Sequence, residues 1–248
     1  MMQRMKCTIQ YDGTFFYGFQ IQPTKRTVQG EIEQALKRMH RNQFVRITPS
    51  GRTDAGVHAK GQVFHFDTFL DIEESKWKKA LSSLLPGDIF VVAVEKVPED
   101  FHARFGVKVK EYRYQILNQY DPNIFTRQYH WHVPFPLDVE KMKEACPYLE
   151  GTHDFTSFSS AKTTVIGDRV RTIYRVECLQ EGNELTIRVE GSGFLYNMVR
   201  IITGTLVEVG QGKKRPGEVQ TILAGKDRTL AGLTAPPQGL FMWKVTYE

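Results

Sequence analysis

Apolar residues recur at three- and four-residue steps at Val28, Ile32, Leu36 and Met39, directly after a threonine. That spacing predicts an amphipathic helix with Thr27 as its N-cap. Before it, "KCTIQYDG" alternates and predicts a strand entering a turn, followed by the aromatic loop "TFFYGFQIQPTKR". After it come a short strand at "FVRIT", a glycine-punctuated loop, and an alternating strand at "QVFHFDT". A second helix is predicted from Ser75, with Trp77, Ala80, Leu81 and Leu84 on its inner face and "PGD" at its end, and "IFVVAVEKV" then reads as a buried strand. The order is β-α-β-β-α-β.

The second half predicts strands over 107–117 and 129–133, a helix over 138–149 closed by Gly151, and a hairpin at "VRTIYRVECLQEGNELTIRVEG" that turns at Gly182 and Asn183. A helix near 195–209, a shorter one near 216–223 and a last strand, "LFMWKVTY", follow. One added strand aside, the first order returns. The expected fold class is α+β: two ferredoxin-like or RRM-like units with a mostly antiparallel mixed sheet and a central active-site cleft. The expected division is 1–103 and 104–248, with the boundary falling near 98–106.

At 248 residues, 41% hydrophobic and 25% charged, the chain can bury a core without staples, and no like-charge block suggests disorder. The start has no apolar core of signal-peptide length, and the longest clean apolar run, "IFVVAV", is too short to span a bilayer. A cytoplasmic protein without a membrane partner is expected. Cys7, Cys146 and Cys178 are odd in number and far apart in sequence, which predicts small buried hydrophobes rather than a disulfide framework or CxxC site. Charge is polarised: residues 1–60 hold ten Lys/Arg against four Asp/Glu, and 61–103 hold four against eight. With "RFGVKVKEYRY", where Arg104, Lys108 and Lys110 alternate with aromatics, this fits phosphate contact combined with base stacking, and equally a solvated strand face.

No phosphate-cradling loop is readable: "GQGKKRPG" lacks the preceding strand and the hydroxyl after its lysine, and "GSGF" lacks a third glycine. The pair His130 and His132 in "HWH" would face one way on a strand, with no HExxH or paired carboxylates beside it. Neither metal nor cofactor is expected. What remains is "PSGRTDAGVHAKGQVFHF", where Asp54 lies between Arg52 and His58 in a run punctuated by Gly51, Gly56 and Gly61. Asp54 reads as an Asx-turn cap or as a carboxylate displayed for nucleophilic attack, kept ionised by the nearby arginine.

That stretch resembles the motif of the TruA family of tRNA pseudouridine synthases, whose invariant aspartate falls on Asp54. The blocks "YDGTFFYGFQIQP", "FHARF", "KEYRY", "GTHDFTSFSS", "GSGFLYNMVRIITGTLVEVG" and "TAPPQGLFMW" resemble the family's blocks in the family's order. Departures are small: "GFQ" has a phenylalanine where another aromatic is commoner, "TAPPQGL" has a second proline, and "SSAKTTVIGDRVRTI" lies in a stretch of variable length.

The resemblance implies isomerisation of uridine to pseudouridine at positions 38, 39 and 40 of the tRNA anticodon stem-loop, by a homodimer and without cofactor. It implies Asp54 as nucleophile, Tyr112 stacking on the target base, Arg200 pairing with the aspartate from the second domain, and Arg52 helping to displace the nucleotide. Arg104, Lys108 and Lys110 are candidates for the RNA backbone, and His58 reads as a structural histidine. Two alternatives come from other classes. One is a non-catalytic RNA-binding protein of paired RRM-like units, against which the missing RNP1 pattern counts. The other is a metal-dependent nuclease using Asp54, His130 and His132.

Overall fold

The computed structural model describes residues 2–160 and 168–247. The part of the variable-length stretch over 161–167 lies outside them. Contacts group the chain into two units, Met1–Lys108 with Phe241–Glu248, and Val109–Leu240.

In the first unit β1 (Gln3–Tyr11), α1 (Val28–Met39), β2 (Thr48–Pro49), β3 (His58–Thr68), α2 (Glu74–Ser82) and β4 (Ile89–Val97) follow the predicted order. β1 is central, antiparallel to both β3 and β4, and its strict alternation buries Met5, Cys7, Ile9 and Tyr11. Thr27 caps α1 by accepting the Gly30 N–H at 3.3 Å, and Val28, Ile32 and Leu36 are buried. Each such side chain contributes about 1.5–3 kcal/mol by leaving water. On α2, Trp77 meets Phe66 of β3 edge to face, ring centroids 5.4 Å apart.

Two strands differ from expectation. Only Thr48 and Pro49 of the predicted "FVRIT" region join the ladder, because the Ile47 N–H goes instead to the buried Glu33 carboxylate at 3.1 Å. β4 is buried on one face only, leaving Phe90 in solvent.

The C-terminal strand, Leu240–Thr246, groups with the first unit from Phe241 onward. Phe241 pairs in parallel with His58, the Lys108 N–H reaches the Thr246 carbonyl at 3.0 Å, and the Tyr247 hydroxyl donates to the Ala103 carbonyl at 2.7 Å. The expected boundary at 103/104 left this strand in the second half.

The second unit contains β5 (Val109–Asn118), β6 (Trp131–Val133), α3 (Val139–Ala145), a 3-10 turn at Cys146–Leu149, β7 (Gly151–Asp154), β8 (Val170–Glu181), β9 (Glu184–Gly191), α4 (Met198–Gly210) and α5 (Glu218–Gly225). β5, β9, β8 and β7 pair antiparallel in that order, and β6 adds in parallel to the end of β5. Within the units the described pairings are antiparallel apart from that one and His58 with Phe241, so the class is mixed α/β with mostly antiparallel strands. The second predicted strand is three residues long, and β7 was not predicted, its "GTHD" composition resembling a turn.

Tyr114, Ile187 and Cys178 form one buried row across β5, β9 and β8, while the opposite face holds a grid of ion pairs. There Glu111 receives Arg113 at 2.7 Å and Arg188 at 3.2 Å, and Arg188 also meets Glu177 at 3.3 Å. Nearly all of α4 is buried. The three cysteines are buried and unbridged, with the Cys146 and Cys178 sulfurs 3.5 Å apart. Among the described residues no helix is long and apolar enough to cross a membrane.

Candidate active site

Asp54 sits half-buried in the loop between β2 and β3. Its main-chain carbonyl accepts the Val57 N–H at 3.1 Å, closing a four-residue turn with Gly56 at φ +76° in third place, where a type II turn needs positive φ. An Asx turn would draw the Gly56 N–H to the Asp54 side chain. That amide donates to the Phe16 carbonyl at 3.2 Å, so backbone bonds close the turn and tie it to the neighbouring segment.

Three braces fix the loop. On one side, the Phe19 N–H donates to the Thr53 carbonyl at 3.0 Å and the Thr53 hydroxyl bonds the buried Tyr11 hydroxyl at 2.7 Å. Gly13 and Gly18 make this contact feasible, since a Cβ on Gly13 would lie 2.0 Å from the Val57 oxygen and one on Gly18 would lie 2.8 Å from the Thr53 oxygen. On the other side, Gln62 accepts the Ser50 hydroxyl at 2.6 Å and donates to the Gly51 carbonyl at 2.9 Å. At the exit, buried His58 accepts the Gly13 N–H on Nδ1 at 2.9 Å and stacks on Phe241 with centroids 4.7 Å apart. A nitrogen accepting from an amide has committed its lone pair, so the Asp12 oxygen 3.1 Å from Nδ1 lies beside it without receiving its proton. Of the three glycines that mark this stretch, Gly56 supplies the turn, whereas Gly61 stands in β3 where a Cβ would meet the Trp243 oxygen at 2.7 Å.

Arg52 is exposed on the same loop. Arg104 is also exposed, its guanidinium 5.6 Å from the Phe105 ring centre, and Lys108 is exposed at the end of that segment.

In the second unit Tyr112 is buried on β5 and meets Phe194 edge to face at 5.0 Å, and Lys110 shares its strand face, half-exposed. Arg200, in the first turn of α4, donates from Nε to the Ala235 carbonyl at 2.7 Å and from Nη1 to the Asn197 side-chain oxygen at 3.0 Å. Phe194 and Asn197 belong to one short segment, so "GSGFLYN" positions both Tyr112 and Arg200. The segment after α5 approaches α4 closely, since a Cβ on Gly204 would lie 1.9 Å from the Leu233 oxygen. Tyr114 donates its hydroxyl to the Pro236 carbonyl at 2.7 Å, and burial pushes its phenol pKa up. The supporting residues Gly13, Gly18, Gln62, Asn197 and Ala235 carry no chemistry of their own and were not singled out from sequence; glycine within an aromatic stretch was the available signal.

The nuclease alternative finds no support in the side chains: His132 Nε2 lies 2.8 Å from the Gln119 carbonyl, and His130 Nε2 lies 3.9 Å from Glu184. No group of three or more His, Cys, Asp or Glu that could hold a metal occurs among the described residues.

An α+β protein with a rigidly braced, carboxylate-bearing loop, and with an aromatic and an arginine anchored in its second unit, has the outline of a transferase or isomerase. A family model described as tRNA pseudouridine synthase matches residues 8–106 and 145–248, and the chain belongs to that family of isomerases. Relatives named tRNA pseudouridine synthase A include one from Oceanobacillus iheyensis, 56% identical over 100% of this chain and 98% of its own length. Others are from Geobacillus kaustophilus, 58% identical over 100% of this chain and 96% of its own, and Anoxybacillus flavithermus, 58% identical over the whole of both. Among solved structures, a chain from a Cbf5-Nop10-Gar1 complex aligns with 96% of this chain and 57% of its own length, at 13% identity and a TM-score of 0.35, which is too loose to bear on the site.

Proposed function

We propose that the protein isomerises uridine to pseudouridine in the anticodon stem-loop of tRNA, at positions 38, 39 and 40, with Asp54 as the nucleophile. The observation that carries the assignment is the turn at Asp54. Backbone closes it and three neighbouring segments brace it, so the residue that carries the carboxylate is held in place. Positioning of this kind is what a nucleophile requires, since a misplacement of about 1 Å can cost 100-fold in rate.

The reaction breaks the bond from N1 to C1′, joins C1′ to C5 and moves one proton from C5 to N1. It is redox-neutral, which fits a reactive set of side chains alone. In this proposal Arg52 helps to displace the target nucleotide, which must leave its stack at a cost of a few kcal/mol. Tyr112 stacks on the uracil and Arg200 pairs with the reactive carboxylate. Arg104, Lys108 and Lys110 contact phosphates. The proposal extends to a cytoplasmic homodimer, for which light scattering gives the mass.

The test is incubation of purified, metal-free protein with unmodified tRNA, followed by mapping of pseudouridine, for wild type and Asp54→Asn. Wild type yields product at the anticodon stem-loop. The variant binds tRNA with similar affinity and yields none. Substantial product from Asp54→Asn would remove the nucleophile assignment, and product elsewhere in the tRNA would remove the site.

A further inference from the structure

Phe15 and Tyr17 hold large aromatic side chains in water beside the Asp54 loop, 68% and 51% exposed, while Phe16 between them and Phe19 after them are buried. The segment that carries them is rigid. The Phe16 carbonyl takes the Gly56 N–H at 3.2 Å, the Tyr17 N–H donates to the Arg26 carbonyl at 2.9 Å, and the Tyr17 carbonyl accepts from Gln22 at 2.6 Å. Arg26 lies over the Phe16 ring, 4.2 Å from its centre, and is itself clamped by Asp88 at 2.7 and 2.9 Å and by Glu31 at 2.8 Å. Two apolar rings are thus kept in solvent by a scaffold that leaves them little freedom to fold back.

The surroundings say what they face. The Lys25 ammonium sits 4.4 Å from the centre of the Tyr17 ring, and half of Tyr17 remains exposed with the lysine in place. Arg52 and Lys60 are exposed in the same unit. Phe16 is extended, at φ −105° and ψ 138°, directly after the 3-10 turn Gly13–Phe15. Aromatic surface interleaved with cations is how proteins hold unpaired nucleotides, whereas lysine, the cation beside Tyr17, is depleted at protein–protein interfaces.

We propose that Phe15 and Tyr17, with Lys25 beside them, form a stacking platform for an unpaired base of the RNA substrate adjacent to the target uridine. The proposal rests on the assignment of tRNA as substrate. Extruding one nucleotide unstacks its neighbours, and a platform on the two residues flanking Phe16, whose carbonyl bonds Gly56, captures one of them next to the nucleophile's loop.

The test uses the full-length protein, unmodified tRNA, and a second tRNA carrying 2-aminopurine beside the target position. The variants are Phe15→Ala, Tyr17→Ala, the double variant and Tyr17→Phe. Wild-type protein quenches the probe on binding. Each alanine raises KM about tenfold, equivalent to about 1.4 kcal/mol, with a smaller change in kcat, and the double variant loses the quench. Tyr17→Phe behaves as wild type, since stacking needs the ring and not the hydroxyl. A double variant with KM within twofold of wild type and an intact quench overturns the platform. So does a double variant altered only in its oligomeric mass, which would assign the rings to a protein contact. If wild type forms no pseudouridine the proposed reaction fails, and quenching by bound RNA still decides the platform separately.

Discussion

Gly13→Ala tests whether the Asp54 loop, proposed to carry the nucleophile, depends on its brace. A Cβ at this position would lie 2.0 Å from the Val57 carbonyl oxygen and 2.5 Å from its carbon, both of them main chain, so no side chain can swing away. Restoring an ordinary contact of 3.4 Å requires one backbone to retreat by about 1.4 Å. The Val57 N–H is the donor that closes the turn on the Asp54 carbonyl, so the displacement passes directly to Asp54. At about 100-fold in rate for each ångström of misplacement, product formation should fall by at least 100-fold. Overpacking of this kind costs about 1–3 kcal/mol, which lowers the melting temperature of a chain this long by about 2–12 °C. The assays are single-turnover pseudouridine formation on unmodified tRNA, tRNA affinity, and thermal unfolding. Loss of rate in a folded variant that still binds tRNA is expected. A single-turnover rate within twofold of wild type would refute the argument that this contact positions the loop.

Alanine at Arg104, Lys108 and Lys110 together should reduce the slope of log affinity against log salt by about 2–3 if each meets a phosphate, and an unchanged slope removes them from the RNA surface. His65 carries a pH dependence of stability. Burial first, then the charges of Arg4 and His102, depress its pKa from 6.5 to about 4 against the opposing pull of Asp67, and its Nδ1 accepts the Ala103 N–H at 3.1 Å. The unfolded chain binds the proton near 6.5 and the folded one does not, so stability is full above that pH, declines as pH drops toward 4, and levels below it. Melting curves between pH 7 and 4.5 should show a shallower decline for His65→Asn than for wild type; equal declines would refute the assignment.

Much of the architecture is local and therefore legible. Val28, Ile32 and Leu36 repeat at helical spacing and bury one stripe, and "EGNE" turns a hairpin whose strands alternate, so α1, β8 and β9 follow from neighbouring residues alone. What escaped depends on partners distant in sequence. A glutamate in α1 takes the amide of Ile47 and shortens the strand expected there. Phe241 finds its pairing partner in His58, which no window around either residue reveals. At the candidate site, glycine punctuation and the resemblance drew attention to Asp54. The reason for Gly13 and Gly18 lies in the main chain of another segment pressed against them, and spacing along a chain does not encode that approach.

The pairing of Phe241 with His58 has a consequence for synthesis. About 180 residues separate the two, and the whole of the second unit is made between them. At about 5–20 residues per second, the segment leading out of the Asp54 loop waits roughly 10–40 s for the ring that covers its histidine. During that interval the nascent first unit has an unfinished strand edge and an uncovered His58. The Asp54 loop is consequently among the last parts of the molecule to be completed, and a ribosome stalled inside the second unit leaves it without its final brace.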